Sequence, residues 1–319
     1  MQRHNTPRHT LVALSLAAGA TLTALPAAAQ VEIQWWHAMT GALGDRVNDF
    51  AKDFNASQKD YKVVPVYKGT YPETMTAAIA ATRAGNPPHI VQVFEVGTAT
   101  MMAAKKSVKP VHELMRESGE KFDPKSYISA VTGYYSDSKG NMVSFPFNSS
   151  TTVFYYSKDA FKRAGLDPER APSTWPEVMA AAAKLKVAGE KCAYSSGWQS
   201  WVHLENFSAW HNVTFANKNN GFDGFDARLT FNSPLHEKHI ANMADWMKKG
   251  YFSYGGRTNE AESKFFSGEC AMLTSSSAAY ANIKKNAKFD WAVSPLPYYR
   301  EVAGAPQNTI IGGASLWVM

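Results

Sequence analysis

Apolar positions along the chain alternate between two periods. Residues 31–36 have strand character, and residues 43–54 place Leu43, Val47, Phe50, Ala51 and Phe54 at helical spacing. A strand followed by a helix therefore opens the fold. Residues 61–67 are rich in β-branched side chains and bounded by Gly69, residues 72–84 are Ala-rich and helical, and residues 90–94 form an apolar strand ending before Glu95. Such alternation predicts parallel strands with crossover helices. Between 134 and 147 the pattern changes to short strands around a turn signal at 136–140, which places a lobe boundary nearby.

Further on, residues 153–156 read as a strand and 158–164 as a helix stopped by Gly165. Thr174, Pro176 and Glu177 form a capping box with proline in the first turn, so the next helix starts at a defined point and runs to Gly189. An aromatic stretch, Trp198, Trp201, Phe207 and Trp210, precedes an Asn- and Gly-rich loop at 217–224. Helical spacing returns at Ile240, Met243, Ala244 and Met247, and again at 262–266. Residues 309–319 form a last apolar run, read as a strand of the parallel set that would hand on to a covering helix.

Ahead of all this stands a leader. Arg3 and Arg8 precede an apolar run at 11–25 and an Ala-rich end at 27–29, the pattern of a secretory signal peptide occupying residues 1–29. The remainder is an exported chain, its formal charge lowered from +6 to +4 by the loss of Arg3 and Arg8. Lysines and arginines are dispersed, with Lys105-Lys106 and Lys284-Lys285 as the largest clusters, which argues against nucleic acid as a partner. Nine tryptophans among 13% aromatic residues suit a ligand cleft.

Enzyme motifs are missing from the sequence: no Gly-x-Ser-x-Gly elbow, no phosphate loop and no His-Glu-x-x-His. His236 and His239 could share a helix face, but Glu237 and Lys238 between them read as a polar surface, and no metal or other cofactor is expected. Cys192 and Cys270 are either a disulfide pair, as export permits, or two buried thiols of one core.

Several segments are more specific. Trp36-His37-Ala38-Met39, residues 67–71, residues 92–100, Pro146-Phe147-Asn148-Ser149-Ser150, Ala164-Gly165-Leu166-Asp167-Pro168 with Thr174-Trp175, Gly197 to Trp201, and the run from Ala305 to Met319 resemble the sn-glycerol-3-phosphate-binding branch of the family 1 extracellular solute-binding proteins. The resemblance covers essentially the whole exported chain. It implies an α/β, two-lobed periplasmic-binding-protein fold of the maltose-binding-like type II class, with lobe 1 formed by 30–142 and 278–319, lobe 2 by 143–277, and ligand in the interlobe cleft.

By the same resemblance the protein captures glycerol 3-phosphate, and glycerophosphodiesters such as glycerophosphocholine, in the periplasm as a monomer. It then delivers the ligand to a membrane permease driven by an ATPase, without catalysis. Tyr71 and Glu95 from one lobe, Ser150 and Ser276 from the other, Trp198, Trp201 and the Gly313 amide are the implied ligand contacts. Glu95 follows a buried strand, where a carboxylate can accept from glycerol hydroxyls. Ser150, Ser276 and Gly313 are neutral donors suited to phosphate. Members of the family continue for roughly a third of this length again, so a C-terminal remainder bearing a Tyr and an Arg for the phosphate is expected beyond Met319. A sugar binder of the same fold, or a secreted glycerophosphodiesterase or glycosidase, is the alternative.

Overall fold

The computed structural model describes Met1 and residues 30–319, apart from Lys105, Phe222 and Phe225. The expected leader thus lies, Met1 aside, outside the described residues. In chain order the strands are β1 (Val31–His37), β2 (Tyr61–Tyr67), β3 (Ile90–Phe94), β4 (Phe145–Ser150), β5 (Thr152–Ser157), β6 (Cys192–Ser196), β7 (Phe252–Tyr254), β8 (Cys270–Ser276), β9 (Trp291–Ser294) and β10 (Gly312–Val318). They form two five-stranded sheets, β2-β1-β3-β10-β4 and β7-β6-β8-β5-β9, each with helices packed on it. Within the first sheet β1, β2 and β3 run parallel, and in the second β6, β7 and β8 do. Local chemistry sets these elements. Pro65, which has no N–H to give to a ladder, sits in β2 at a sheet edge. The helices Tyr71–Arg83 and Trp175–Val187 each begin with a capping box and a proline in the first turn.

The lobe boundaries expected at 142/143 and 277/278 are corrected by the sheets. Residues 145–150 are β4, paired with β10 in the first sheet, and the chain crosses to the second only at Thr151. The turn signal at 136–140 is a tight turn inside the first lobe, closed by Asp137 accepting from the Lys139 and Asn141 amides. Residues 278–294 stay with the second lobe, because the helix Ala279–Asn286 buries Ala279 and Ile283 against Tyr155, Phe265 and Leu273, and β9 pairs with β5. The last strand is corrected too: β10 runs antiparallel to both β3 and β4. Among the described residues no helix is long and apolar enough to cross a membrane.

Cys192 and Cys270 are joined in a disulfide between facing positions of β6 and β8. Both begin their strands, at the end away from the residues that follow Ser196 and Ser276. Closing a loop over 78 positions removes unfolded-state entropy worth about 4–5 kcal/mol.

The helix Pro234–Lys248 faces inward through His236, His239, Met243 and Trp246, while Ile240 and Met247 are about half exposed, 47% and 48%. The polar surface expected at His236 and His239 is therefore the core. Neutral imidazoles pack there as aromatic rings because their nitrogens are satisfied. His203 Nδ1 and His239 Nε2 are 3.0 Å apart, His239 Nδ1 is 3.2 Å from the Tyr299 hydroxyl, and His236 is held on both sides by Ser208 and Ser233 at 2.7 Å. Phe207 stacks on His239 with ring centroids 4.2 Å apart. Burial opposes the charged form, pushing His203 down to about 3 and lowering His211, His236 and His239 as well.

An unfolded chain takes up a proton at each of these histidines below about pH 6.5, whereas the fold takes it up only at lower pH, so stability is lost as pH falls through that value. Each neutral histidine then accounts for about 1.4 kcal/mol per pH unit. A His239→Gln variant should be less stable than the wild type by urea denaturation at pH 7.5, and the gap should narrow at pH 5. A gap of constant size would mean that His239 is not kept neutral by the fold.

Candidate functional site

Parallel strands of both sheets end at the same place. In an open α/β sheet the carboxyl ends of the strands are where loops leave polar groups free for a ligand, and here two such edges face each other. The cleft between them has a volume of about 180 Å³. Tyr71, Glu95, Ser150, Trp198, Trp201, Ser276 and Gly313 all line it. Every ligand contact expected from the sequence is thus brought to one cavity, although β4 places Ser150 on the first lobe, so that only Ser276, Trp198 and Trp201 come from the second.

On the first lobe, Tyr71 opens its helix just after β2 and stacks on Phe94, with ring centroids 5.4 Å apart and planes 6° from parallel. Its hydroxyl is fixed by a relay. Gln92, fully buried on β3, donates to Asn148 Oδ1 at 2.8 Å, and Asn148 donates to the Tyr71 oxygen at 2.9 Å. Burial pushes the Tyr71 phenol well up, so its proton stays and is free to be donated into the cleft. Gly313 has φ +115°, and a Cβ there would lie 2.0 Å from the Asn148 carbonyl. A Cβ on Gly312 would lie 2.4 Å from the Trp201 ring. The two glycines thus let β10 pass between β4 and the opposite lobe.

On the second lobe, Trp201–Asn206 is a turn of π-helix, a widened form common at functional sites. It presents Trp201 and Glu205 on one face of the cleft. Trp198 precedes it in a left-handed backbone conformation, φ 51°, and its ring lies 6.2 Å from Tyr71. Ser276 caps the following turn by accepting from the Ala278 amide at 3.1 Å. At the mouth the lobes touch: Ala42 donates to Asn282 at 3.2 Å, and Asp45 meets Lys285 at 3.2 Å.

Charge in the cleft is one-sided. Glu95, Glu205 and Glu262 line it, and no Lys, Arg or His does so among the described residues. Burial pushes Glu95 up to about 7, with Glu205 across the cleft adding to the rise and the Gly313 amide opposing it. The Gly313 N–H expected to serve a ligand therefore already faces a carboxylate. Glu262 is likewise pushed up to about 7 by burial, and Glu205 is raised for the same reason.

Sequence reading missed Asn148 and Gly312, although both stand inside segments singled out for resemblance. It also missed Glu205, which follows Trp201 by four residues and so shares its helical face. Glu262 carries no local signal, since only the fold brings it to the cleft.

The fold and the two-sided cleft define a solute-binding protein, and the chain belongs to the bacterial extracellular solute-binding protein family, whose pattern matches residues 40–319. Its relatives include the sn-glycerol-3-phosphate-binding periplasmic protein UgpB of Salmonella paratyphi A, 55% identical over 98% of this chain and 70% of the relative. The Escherichia coli K12 protein of the same name is 56% identical over 92% of this chain and 67% of its own. Among solved structures, UgpB from Mycobacterium tuberculosis in complex with glycerophosphocholine superposes with a TM-score of 0.74 at 22% identity, covering 90% of this chain and 72% of that one. Maltose-bound MalE3 from T. maritima gives 0.72 at 18% identity, covering 90% and 72%.

A carboxyl whose folded pKa is raised stabilises the protein fully only below its unfolded value, and that contribution is lost as pH rises through about 7. Glu95→Gln should therefore raise the stability of the empty protein at pH 8, by about 3 kcal/mol at most, and by less at pH 5. Urea denaturation at the two pH values checks this. An equal effect at both would show that Glu95 titrates as an ordinary surface carboxylate.

Proposed function

We propose that this protein captures sn-glycerol 3-phosphate, and glycerophosphodiesters such as glycerophosphocholine, in the periplasm and presents them to the permease of an ABC importer. It acts as a binding protein and not as an enzyme. What carries the reading is identity: 55% over 98% of the chain to sn-glycerol-3-phosphate-binding periplasmic proteins. The size of the cleft supports it, since about 180 Å³ is space on the order of a dozen waters, suited to a three-carbon phosphate.

In this reading the three-carbon backbone lies between the Tyr71 and Trp198 rings. Glu95 accepts from the glycerol hydroxyls and repels the phosphate, which fixes orientation. The Ser150 and Ser276 hydroxyls donate to the phosphate, each charge-assisted bond contributing about 1.5–3 kcal/mol. Trp201 adds an indole N–H that is buried and has no partner in the protein, a donor suited to an oxygen in the cleft. The Gly313 amide reaches the phosphate only as Glu95 shifts toward the hydroxyls. Closure brings the lobes together, the closed form docks on the permease as a monomer, and the permease's ATPase drives release.

Calorimetry with sn-glycerol 3-phosphate should give saturable one-site binding, and phosphorus NMR of the recovered ligand should find it unmodified. Hydrolysis, or binding of maltose in preference to the phosphate, would overturn the proposal. Trp198→Ala should weaken binding about tenfold or more while leaving the melting temperature of the empty protein nearly unchanged, because Trp198 sits at the margin of a small apolar cluster. Equal loss of stability would make it a core residue instead.

A further inference from the structure

Helix Gly41–Ser57 of the first lobe opens without a cap of its own. The leading N–H groups of a helix have no intrahelical partner, and the residue ahead of the helix ordinarily lends a side-chain oxygen to one of them. Thr40 stands in that place with extended backbone, φ −128° and ψ 167°, yet its hydroxyl makes no such bond. The bond comes instead from the other lobe. Ala42, second in the helix, donates its N–H to Asn282 Oδ1 at 3.2 Å, across 240 positions of sequence. Asn282 belongs to the helix Ala279–Asn286, whose Ala279 and Ile283 are buried in the second lobe. Asparagine is among the best capping residues, and the second helical position is one that a cap serves.

Two neighbouring features belong to the same contact. Gly41 has φ +56°, and a Cβ there would lie 2.6 Å from Asn282 Oδ1, so the missing side chain is what lets the lobes come this close. Three residues further along each helix, Lys285 Nζ meets Asp45 Oδ2 at 3.2 Å, an exposed and therefore salt-screened pair. Thr40, Leu43, Ala279 and Asn282 line the cleft, so this clasp stands at its mouth. It also stands away from the chain crossings. β1, which leads into helix Gly41–Ser57, is separated from β10 by β3, two strand spacings or about 10 Å across the sheet. An opening rotation about the crossings therefore parts Ala42 from Asn282 and leaves the helix end to water.

We infer that Asn282 is a helix cap supplied by one lobe to the other, and that with the Lys285–Asp45 pair it forms a latch made only when the lobes are closed. Opening uncaps a helix, so the latch slows ligand release by holding the mouth shut and not by a bond to the ligand. It rests on the proposed function only for the ligand with which release is read. An acceptor oxygen at position 282 is what the cap needs, so Asp should serve there and Ala should not.

Stopped-flow fluorescence with sn-glycerol 3-phosphate separates association from release. Asn282→Ala should release the ligand about fivefold faster while associating within about twofold of the wild type, and Asn282→Asp should release within about twofold of the wild type. Lys285→Asp and Asp45→Lys should each release about threefold faster at low salt, the double variant Asp45→Lys/Lys285→Asp should return to the wild-type rate, and the differences should shrink at high salt. Neither residue is among those lining the cleft, so loss of a direct ligand contact would not give this pattern. Wild-type release from Asn282→Ala, or a swapped pair that releases as fast as the single reversals, would overturn the latch. If the wild type binds no glycerol 3-phosphate, the ligand reading fails by itself. The latch is then judged in the empty protein by electron–electron distances between spin labels on Asp53→Cys and Lys248→Cys, one exposed position on each lobe, the native cysteines being paired. The short-distance population should fall in Asn282→Ala and be kept in Asn282→Asp, and distributions that do not differ would overturn the latch.

Discussion

Two crossings of the chain between its sheets, at Thr151 and at Thr309, constrain everything else in the molecule. They run side by side, with the two threonine hydroxyls hydrogen-bonded to each other. Both lie at the cleft, where the parallel strands end. A strand that starts there must run against the strands that finish there, and this is why β5 and β10, each the first strand after a crossing, enter their sheets antiparallel. The same argument makes β4 and β9, which lead into the crossings, run toward the cleft. Among the described residues the chain leaves and re-enters each lobe only through short extended segments at Thr151 and Thr309, so a rotation of one lobe against the other would be taken up there.

Between the lobes the balance of forces is unusual for a protein whose relatives bind a phosphate. Three carboxylates face the cavity without a cation among the described residues lining it. Their charges disfavour close approach of the empty lobes, and burial shifts their titration upward to moderate that repulsion. A ligand that offers hydroxyl hydrogens to one carboxylate and fills the space between aromatic walls relieves the strain further. Under the proposed function, polarity in this cleft serves orientation as much as attraction.

Much of the architecture was legible from the chain. Strands 61–67 and 90–94 and the capped helix after Thr174 stand where periodicity and capping placed them, because local propensity and tertiary burial agree there. Sheet membership was not legible. Residues 145–150 carry no mark of which lobe they join, and β10 looks like a parallel strand until its partners are known. Histidines 236 and 239 misled for a related reason: imidazole is polar in a sequence and aromatic in a core, and only Ser208, Ser233 and Tyr299, distant in sequence or on another element, decide between the two. In the cleft, Tyr71, Glu95, Ser150, Trp198, Trp201 and Gly313 were found because they stand in resemblance-bearing segments, although Asn148 and Gly312 in the same segments were missed, whereas Glu262 acquires its place only when the helix Glu260–Phe266 packs on β8 and Ser275 donates to its carboxyl.

The bond between Cys192 and Cys270 ties the central strand of the second lobe, β8, to its neighbour β6 at their starts, the end opposite the cleft. It can brace that lobe without touching ligand chemistry. Thiols stay reduced in the cytosol and oxidise outside it, so the same chain has two stabilities according to where it is. Inside the cell the second lobe lacks its brace and is easier to keep unfolded for passage through a translocation channel. Once across, oxidation makes the folded form the lasting one, and the export step is favoured by a covalent bond that forms only at the destination.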